Sequence, residues 1–450
     1  MRLLLLCPLL AACTVRTGLC ERDQDCPPGQ VCNLATHRCQ RPEGSDHDMA
    51  APEPDLLPPA EPDLLPPAEP DLFMPPPPDL AGVDLLGIAT LEVRRTGDGA
   101  GRVRSTPPGI DCGAHCVSVV PEGTRLELQA EAETDSFFSG WSGACTGEAR
   151  CMLTVRGMVR VDASFRRRSF ALVASGTSHT LRTVFGLSPP ALGGLWAAGD
   201  QDTVLRWDGT RWTSIPTTTS ASIRGLWASA VNNLWVVGEM APRRWNGTTW
   251  ASASGSFLQP LWAIWGASAA DIWVVGDQGY AVHFNGTSWS DEPTGILQRL
   301  HAIWGQTPTD IWAVGDKGSV VRWNGSEWKT VASGTMADLL AIWGAGSTAV
   351  WAAGQGGTLL RWDGTRWLAE TSPLPGRTLR GLFGFSDGSG QAVEVWAVGD
   401  GGAALRWHAG RWSAVAHAHP LTLHAVWGER PGELWAVGER GTILRYGAHR

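Results

Sequence analysis

Between Leu300 and Thr335 the chain reads LHAIWGQTPTDIWAVGDKGSVVRWNGSEWKTVASGT, and short apolar runs alternate with polar breaks. The runs ending at Gly305, Gly315 and Trp323 are β-branched and aromatic. They are separated by a loop to Asp310, by Asp316-Lys317-Gly318 and by Asn324-Gly325. Asn-Gly and Asp-x-Gly supply the positive φ that tight hairpins need, so the unit predicts a four-stranded antiparallel meander.

The pattern recurs. Its first-strand aromatic returns at Phe185, Trp227, Trp265, Trp304, Trp343, Phe383 and Trp427, and its second-strand aromatic at Trp196, Trp235, Trp273, Trp312, Trp351, Trp396 and Trp435. Seven copies at a period of roughly 40 residues fall in the range of propeller blades. The two ends of the array decide between an open solenoid and a closed ring. The last copy stops at GTILRYGAHR, one strand short, and the missing strand lies at the other end, where FALVASGT (Phe170 to Thr177) aligns with WKTVASGT (Trp328 to Thr335). A surplus strand at the start and a deficit at the end is what closure requires, because it removes both open edges.

Upstream, the composition changes sharply within the 450 residues, which predicts several domains. Residues 1–12, MRLLLLCPLLAA, carry one positive charge, a short apolar run and small residues before Cys13. This resembles a bacterial lipoprotein signal with Leu10-Ala11-Ala12-Cys13 as its lipobox. The resemblance implies a lipid on Cys13, with Thr14 fitting outer-membrane sorting; the alternative is an ordinary secretory signal with Cys13 in a disulfide. Export in either form means an oxidising compartment, and apart from Cys7 and Cys13 the cysteines fall into two groups of four. Cys20, Cys26, Cys32 and Cys39 predict a disulfide-stapled module over 13–40, a zinc site being the other reading of four thiolates. Residues 41–89 repeat AEPDLLPP with no core-forming pattern; their prolines predict an extended spacer rising about 3.1 Å per residue.

From 90 to 167 the chain alternates again. GRVRSTPPGIDCGAHC, EGTRLELQAEAETDSFFSGWSGACTGEARC and VDASF occur in order. This segment resembles the bacterial repeat domain related to the internalin B-repeat, which implies a small β domain without an activity of its own. Cys112 with Cys116 and Cys145 with Cys151 are the preferred pairs, against a zinc site made by all four. The expected fold is therefore all-β: a seven-bladed β-propeller over 168–450, preceded by a small disulfide-clipped β domain, a Pro-rich stalk and a small Cys-rich module.

The blade motif IWAVGDKGSVVRWNGSEW resembles propellers of the photosystem II assembly-factor and BNR type across all seven copies, and implies the fold alone. AIWG followed by IWAVG is similar to tectonin lectin repeats, which bind sugars. Recurrent positions read as structural. These include the third-strand Trp207, Trp245, Trp323, Trp362 and Trp407 and the fourth-strand Trp212, Trp250, Trp289, Trp328, Trp367 and Trp412, since aromatics dominate packing energies. The arginines before the third-strand aromatic (Arg206, Arg244, Arg322, Arg361, Arg406, Arg445) are expected to stack on an aromatic or pair with a turn Asp. Asn246, Asn285 and Asn324 head glycosylation-like triplets that read as hairpin turns.

Candidate chemistry changes this picture little. A net charge of −8 without a basic stripe excludes a nucleic-acid footprint, and no apolar run reaches the roughly 20 residues of a membrane span. A sialidase-like enzyme would need a tyrosine nucleophile. The only two tyrosines, Tyr280 and Tyr446, occupy ordinary repeat positions. His417 and His419 lack a third ligand for a metal. No catalytic residue, metal or cofactor is assigned. The expected function is a lipid-anchored, non-catalytic binding scaffold at the outer membrane or cell surface, contacting a protein or carbohydrate; the alternative is a propeller-fold glycosidase or lyase acting on extracellular polysaccharide. The links from each fourth strand to the next blade vary while the hairpins are uniform. Recognition is therefore expected on the rim carrying Phe257, Leu258, Leu297, Arg299, Leu374 and His419.

Overall fold

The computed structural model describes residues 31–33, 38–40, 87–187, 194–217 and 220–448. The chain divides into two compact units, Met1–Leu80 and Ala81–Arg450. In the first, Val31–Asn33 and Arg38–Gln40 form an antiparallel hairpin in which Cys32 lies opposite Cys39. The expectations for Cys13, Cys20 and Cys26 and for the proline-rich repeats lie outside the described residues. No helix among the described residues is long and apolar enough to cross a membrane.

The second unit opens with two four-stranded sheets. In one, Ile88–Thr96 runs parallel to Met158–Arg167, flanked by Val117–Pro121 and Ser136–Gly143. In the other, Gly101–Thr106 and Thr124–Ala132 are flanked by Asp111–Cys112 and Cys151–Val155. Gly101–Thr106 alternates strictly between buried and exposed positions, the signature of a strand with one face on a core. Leu91, Val103, Leu128, Val161 and Phe165 fill that core. Cys112–Cys116 and Cys145–Cys151 are disulfide-bonded, the two preferred pairs.

Seven further four-stranded antiparallel sheets follow, one per sequence repeat. Their first strands are Leu181–Gly186, Ile223–Ala230, Leu261–Ser268, Leu300–Thr307, Leu339–Gly346, Leu379–Ser386 and Leu423–Arg430, in blades 1 to 7. Blade 7 is completed by Ser169–Leu172, which pairs with Ile443–Gly447 so that Phe170 faces Tyr446. The seven sheets form a closed propeller, sealed by the strand at the N-terminal end of the repeats. The hairpin between third and fourth strands is an Asx turn in most blades: the Asn324 side chain accepts the backbone N–H of Ser326 and of Glu327, at 2.9 and 3.0 Å. That is the structural use of the Asn-Gly-Ser/Thr triplets.

Aromatic side chains join the blades in a cycle. In blades 2, 3, 4, 6 and 7 the second-strand tryptophan packs on both the third- and the fourth-strand aromatics of the next blade. Trp312 of blade 4 packs on Trp362 and Trp367 of blade 5 at 5.0 and 5.6 Å between ring centres. Trp435 of blade 7 packs in the same way on Trp207 and Trp212 of blade 1, at 4.9 and 5.6 Å. For Trp396 of blade 6 the pair is Tyr446 and Phe170, so the sealing strand supplies an inter-blade aromatic as well as backbone hydrogen bonds. Of the third-strand arginines, Arg244, Arg322, Arg406 and Arg445 lie over the second-strand tryptophan of their own blade. Arg322 lies 4.6 Å over Trp312 and 2.7 Å from Asp310, the acid that starts its blade's second strand. Blade 5 has Ala349 at that start, and Arg361 pairs instead with Glu370 at 3.0 Å.

Candidate functional site

Each first strand contains the same irregularity. In blade 4 Leu300 pairs with Gly315 and Ala302 with Val314, leaving His301 out of the ladder as a β-bulge. The register shifts at the equivalent point in all seven blades. A bulge bends the strand and re-aims the extra side chain. Glycine makes this bulge possible: Gly315, at the end of the second strand, has an extended backbone, and a Cβ there would land on the carbonyl oxygen of Arg299. The glycine of each V/A-G-D/E/Q step is thus required by close approach.

The bulged residues are Arg182, Arg224, Trp262 and His301 in blades 1 to 4, then Leu340, Arg380 and His424 in blades 5 to 7. All seven line one cavity of about 320 Å³ at the mouth of the central channel. Behind this collar stand carboxylates from the second-to-third-strand turns of the same blades. Arg182 meets Asp200 at 2.5 Å, Arg224 meets Glu239 at 3.0 Å, and Arg380 meets Asp400 at 2.5 Å. The indole N–H of Trp262 donates to Asp277 at 2.9 Å, and His301 lies 2.5 Å from Asp316. Arg224 and Arg299 stack on Trp262 at 3.9 and 4.6 Å, with His301 edge-on to it.

The electrostatics follow from this crowding. Burial, then Arg182 and Arg380 from the neighbouring blades, push His424 down to about 4, against the smaller opposing pull of Glu439 and Asp200. Burial also lowers His301, outweighing its bond to Asp316. Beneath the collar lies a second chamber of about 370 Å³ that shares Arg182, Leu340, Arg380 and His424 with the mouth. Its walls include Val184, Ile264, Ile303, Ile342, Leu382 and Val426, which occupy the second position after each bulge. The channel therefore turns from charged and aromatic to apolar within two residues of strand.

Antiparallel topology puts the starts of the first strands, the second-to-third-strand turns and the inter-blade links on one rim, the rim of the collar. Of the six residues singled out there, Leu258 and Leu297 are 69% and 82% exposed. Phe257 turns back onto Trp289, and Leu374 packs on the core shared by blades 5 and 6. Arg299 reaches the collar and pairs with Asp277. His419 lies beside His417, whose ring packs on Phe170 of the sealing strand. The two tyrosines have other surroundings. Tyr280 donates to Asp291 at 2.8 Å; burial, then Asp291, raises it to about 12. Tyr446 is clamped between Phe170 and Trp396. Sequence reasoning missed the collar. Its signal was one aligned position reading Arg, Arg, Trp, His, Leu, Arg, His after an invariant Leu or Ile.

No family model matches this sequence, and no curated protein matches it. Solved structures do. One described as YCF48 bound to D1 peptide is 17% identical with a TM-score of 0.52, spanning 62% of this chain and 97% of its own. YCF48 from Cyanidioschyzon merolae is 16% identical with a TM-score of 0.52, over 62% and 99%. A streptogramin B lyase is 12% identical with a TM-score of 0.54, over 63% and 98%. They share the propeller fold with this chain. At these identities the likeness extends no further than the fold.

Proposed function

We propose that this chain is a non-catalytic binding scaffold that recognises a protein or glycan partner through the collar-side rim of its propeller, and that Cys13 anchors it by lipid to the outer membrane or cell surface. The observation that carries the reading is the collar: seven equivalent backbone bulges hold chemically different side chains at one channel mouth, beside links that also differ from blade to blade. Uniform positions build a ring, whereas varied ones on a rigid frame discriminate a partner. A propeller of the same fold has been captured with a peptide bound, which supports a protein partner. A glycoside hydrolase would use paired carboxylates; here Asp200 and Asp400 are engaged by arginines.

A peptide and glycan array probed with the full chain tests this. For any partner it identifies, Leu258→Ala with Leu297→Ala is expected to weaken binding about tenfold or more, since a truncated interface anchor costs above about 1 kcal/mol. Asn232→Ala and Thr309→Ala, on turns at the opposite rim, are expected to leave it unchanged. The reverse pattern places the site on the other face. In cells, Cys13→Ser is expected to move the protein out of the membrane fraction; retention after a salt wash would refute the lipid anchor.

A further inference from the structure

We propose that the collar and the chamber beneath it form one site for a small carboxylate bearing an apolar group, with the carboxylate at Arg182 and Arg380 and the apolar group in the lower chamber. The site lies on the rim assigned to partner binding, and its chemistry is read independently of that assignment. The two spaces adjoin across the side chains they share, Arg182, Leu340, Arg380 and His424, and each is about as large as the smaller ligand pockets of proteins. Arg182 and Arg380 flank His424 from blades 1 and 6, and each donates Nε and Nη2 to the carboxylate of its own blade. A guanidinium has five N–H donors, so three, two on Nη1 and one on Nη2, remain for a ligand. A carboxylate matches the planar fork of a guanidinium and accepts charge-assisted hydrogen bonds from it.

The sign of the field agrees. At His424 the two arginines outweigh Asp200 and Glu439, so this side of the mouth favours an anion although carboxylates stand behind it. The opposite side presents Trp262, its faces covered by Arg224 and Arg299, and His301. Below, the apolar wall offers no partner for a second charge. A dianion such as phosphate would answer the arginines and leave the chamber unused, and a neutral alcohol would occupy the chamber and leave the arginines unanswered. A free acid and the carboxyl end of a polypeptide with an apolar last residue share the required chemistry.

The test titrates the full chain with sodium octanoate, 1-octanol, inorganic phosphate, and a short peptide ending in leucine as free acid or amide. Calorimetry gives affinity and NMR follows the His424 ring. Octanoate or the free-acid peptide is expected to bind at least tenfold more tightly than octanol, phosphate or the amide, and to raise the His424 midpoint from about 4, because an anion beside the imidazole favours its charged form. Binding by octanoate assigns the site to a free acid; binding by the free-acid peptide alone assigns it to a chain end. Arg182→Gln with Arg380→Gln is expected to weaken the anion by roughly tenfold to a hundredfold, as charged hydrogen bonds do. Ile342→Trp, which fills the chamber, is expected to abolish octanoate binding. The proposal is overturned if neither acid moves the His424 midpoint of the native chain, or if phosphate binds as tightly as octanoate. A partner captured at the outer links under those results would leave the scaffold reading standing and this site refuted.

Discussion

A chain starting at Ser178 is expected to lose cooperative unfolding and to aggregate, whereas one starting at Arg168 melts in a single sharp transition. The difference is the strand Ser169–Leu172, whose removal exposes the whole edge of Ile443–Gly447. An open edge of unpaired N–H and C=O groups is a template for another chain. The deletion also removes Phe170, which packs on Trp396 at 6.0 Å and on Tyr446 at 5.0 Å, so the aromatic cycle breaks at the blade 6 to blade 7 junction. Scanning calorimetry and light scattering on the two chains check this, and equal melting curves would show that closure lies elsewhere.

The second large effect is expected from Trp312→Ala. Trp312 is fully buried between Trp362 and Trp367 of the next blade and carries Arg322 on its face. Truncating a core tryptophan costs about 3–5 kcal/mol. Leu297→Ala, at a side chain 82% exposed, is expected to stay within about 0.5 kcal/mol of the parent. Denaturant midpoints of the two variants decide the matter. If Trp312→Ala cost no more than Leu297→Ala, the aromatic cycle would not be what holds adjacent blades together.

The fold was legible because its determinants are local and repeated. Tryptophan spacing marked the strands, Asn-Gly and Asp-x-Gly marked the turns, and the FALVASGT match exposed the sealing strand. The collar was not legible from the same pattern. A bulge takes one residue out of the two-residue alternation of a strand, so His301 and its equivalents read as part of an apolar run rather than as side chains aimed at a channel. Gly315 marked only the end of an apolar run in the sequence; its backbone is extended and its role is close approach to Arg299. Among the rim residues, sequence alone could not separate Phe257 and Leu374, which fold back onto the blades, from Leu258, which stays in solvent. That distinction depends on the path of each link.

The central claim is that closure of the ring brings bulged residues from distant parts of the chain to one channel mouth, and His424 reports on it. Arg182 belongs to the first blade and His424 to the last, so they are neighbours only in a closed ring. In the native chain the His424 imidazole is expected to titrate near 4, below the ordinary histidine value of about 6.5. The unfolded chain then binds more protons between these values, and the stability associated with this group is lost as pH falls from about 6.5 towards 4. The decisive measurement is the NMR titration of His424 in Arg182→Gln. Removing a neighbouring positive charge and releasing Asp200 must raise the midpoint if the account is right. An unchanged midpoint, in a variant that melts like the parent, would contradict it.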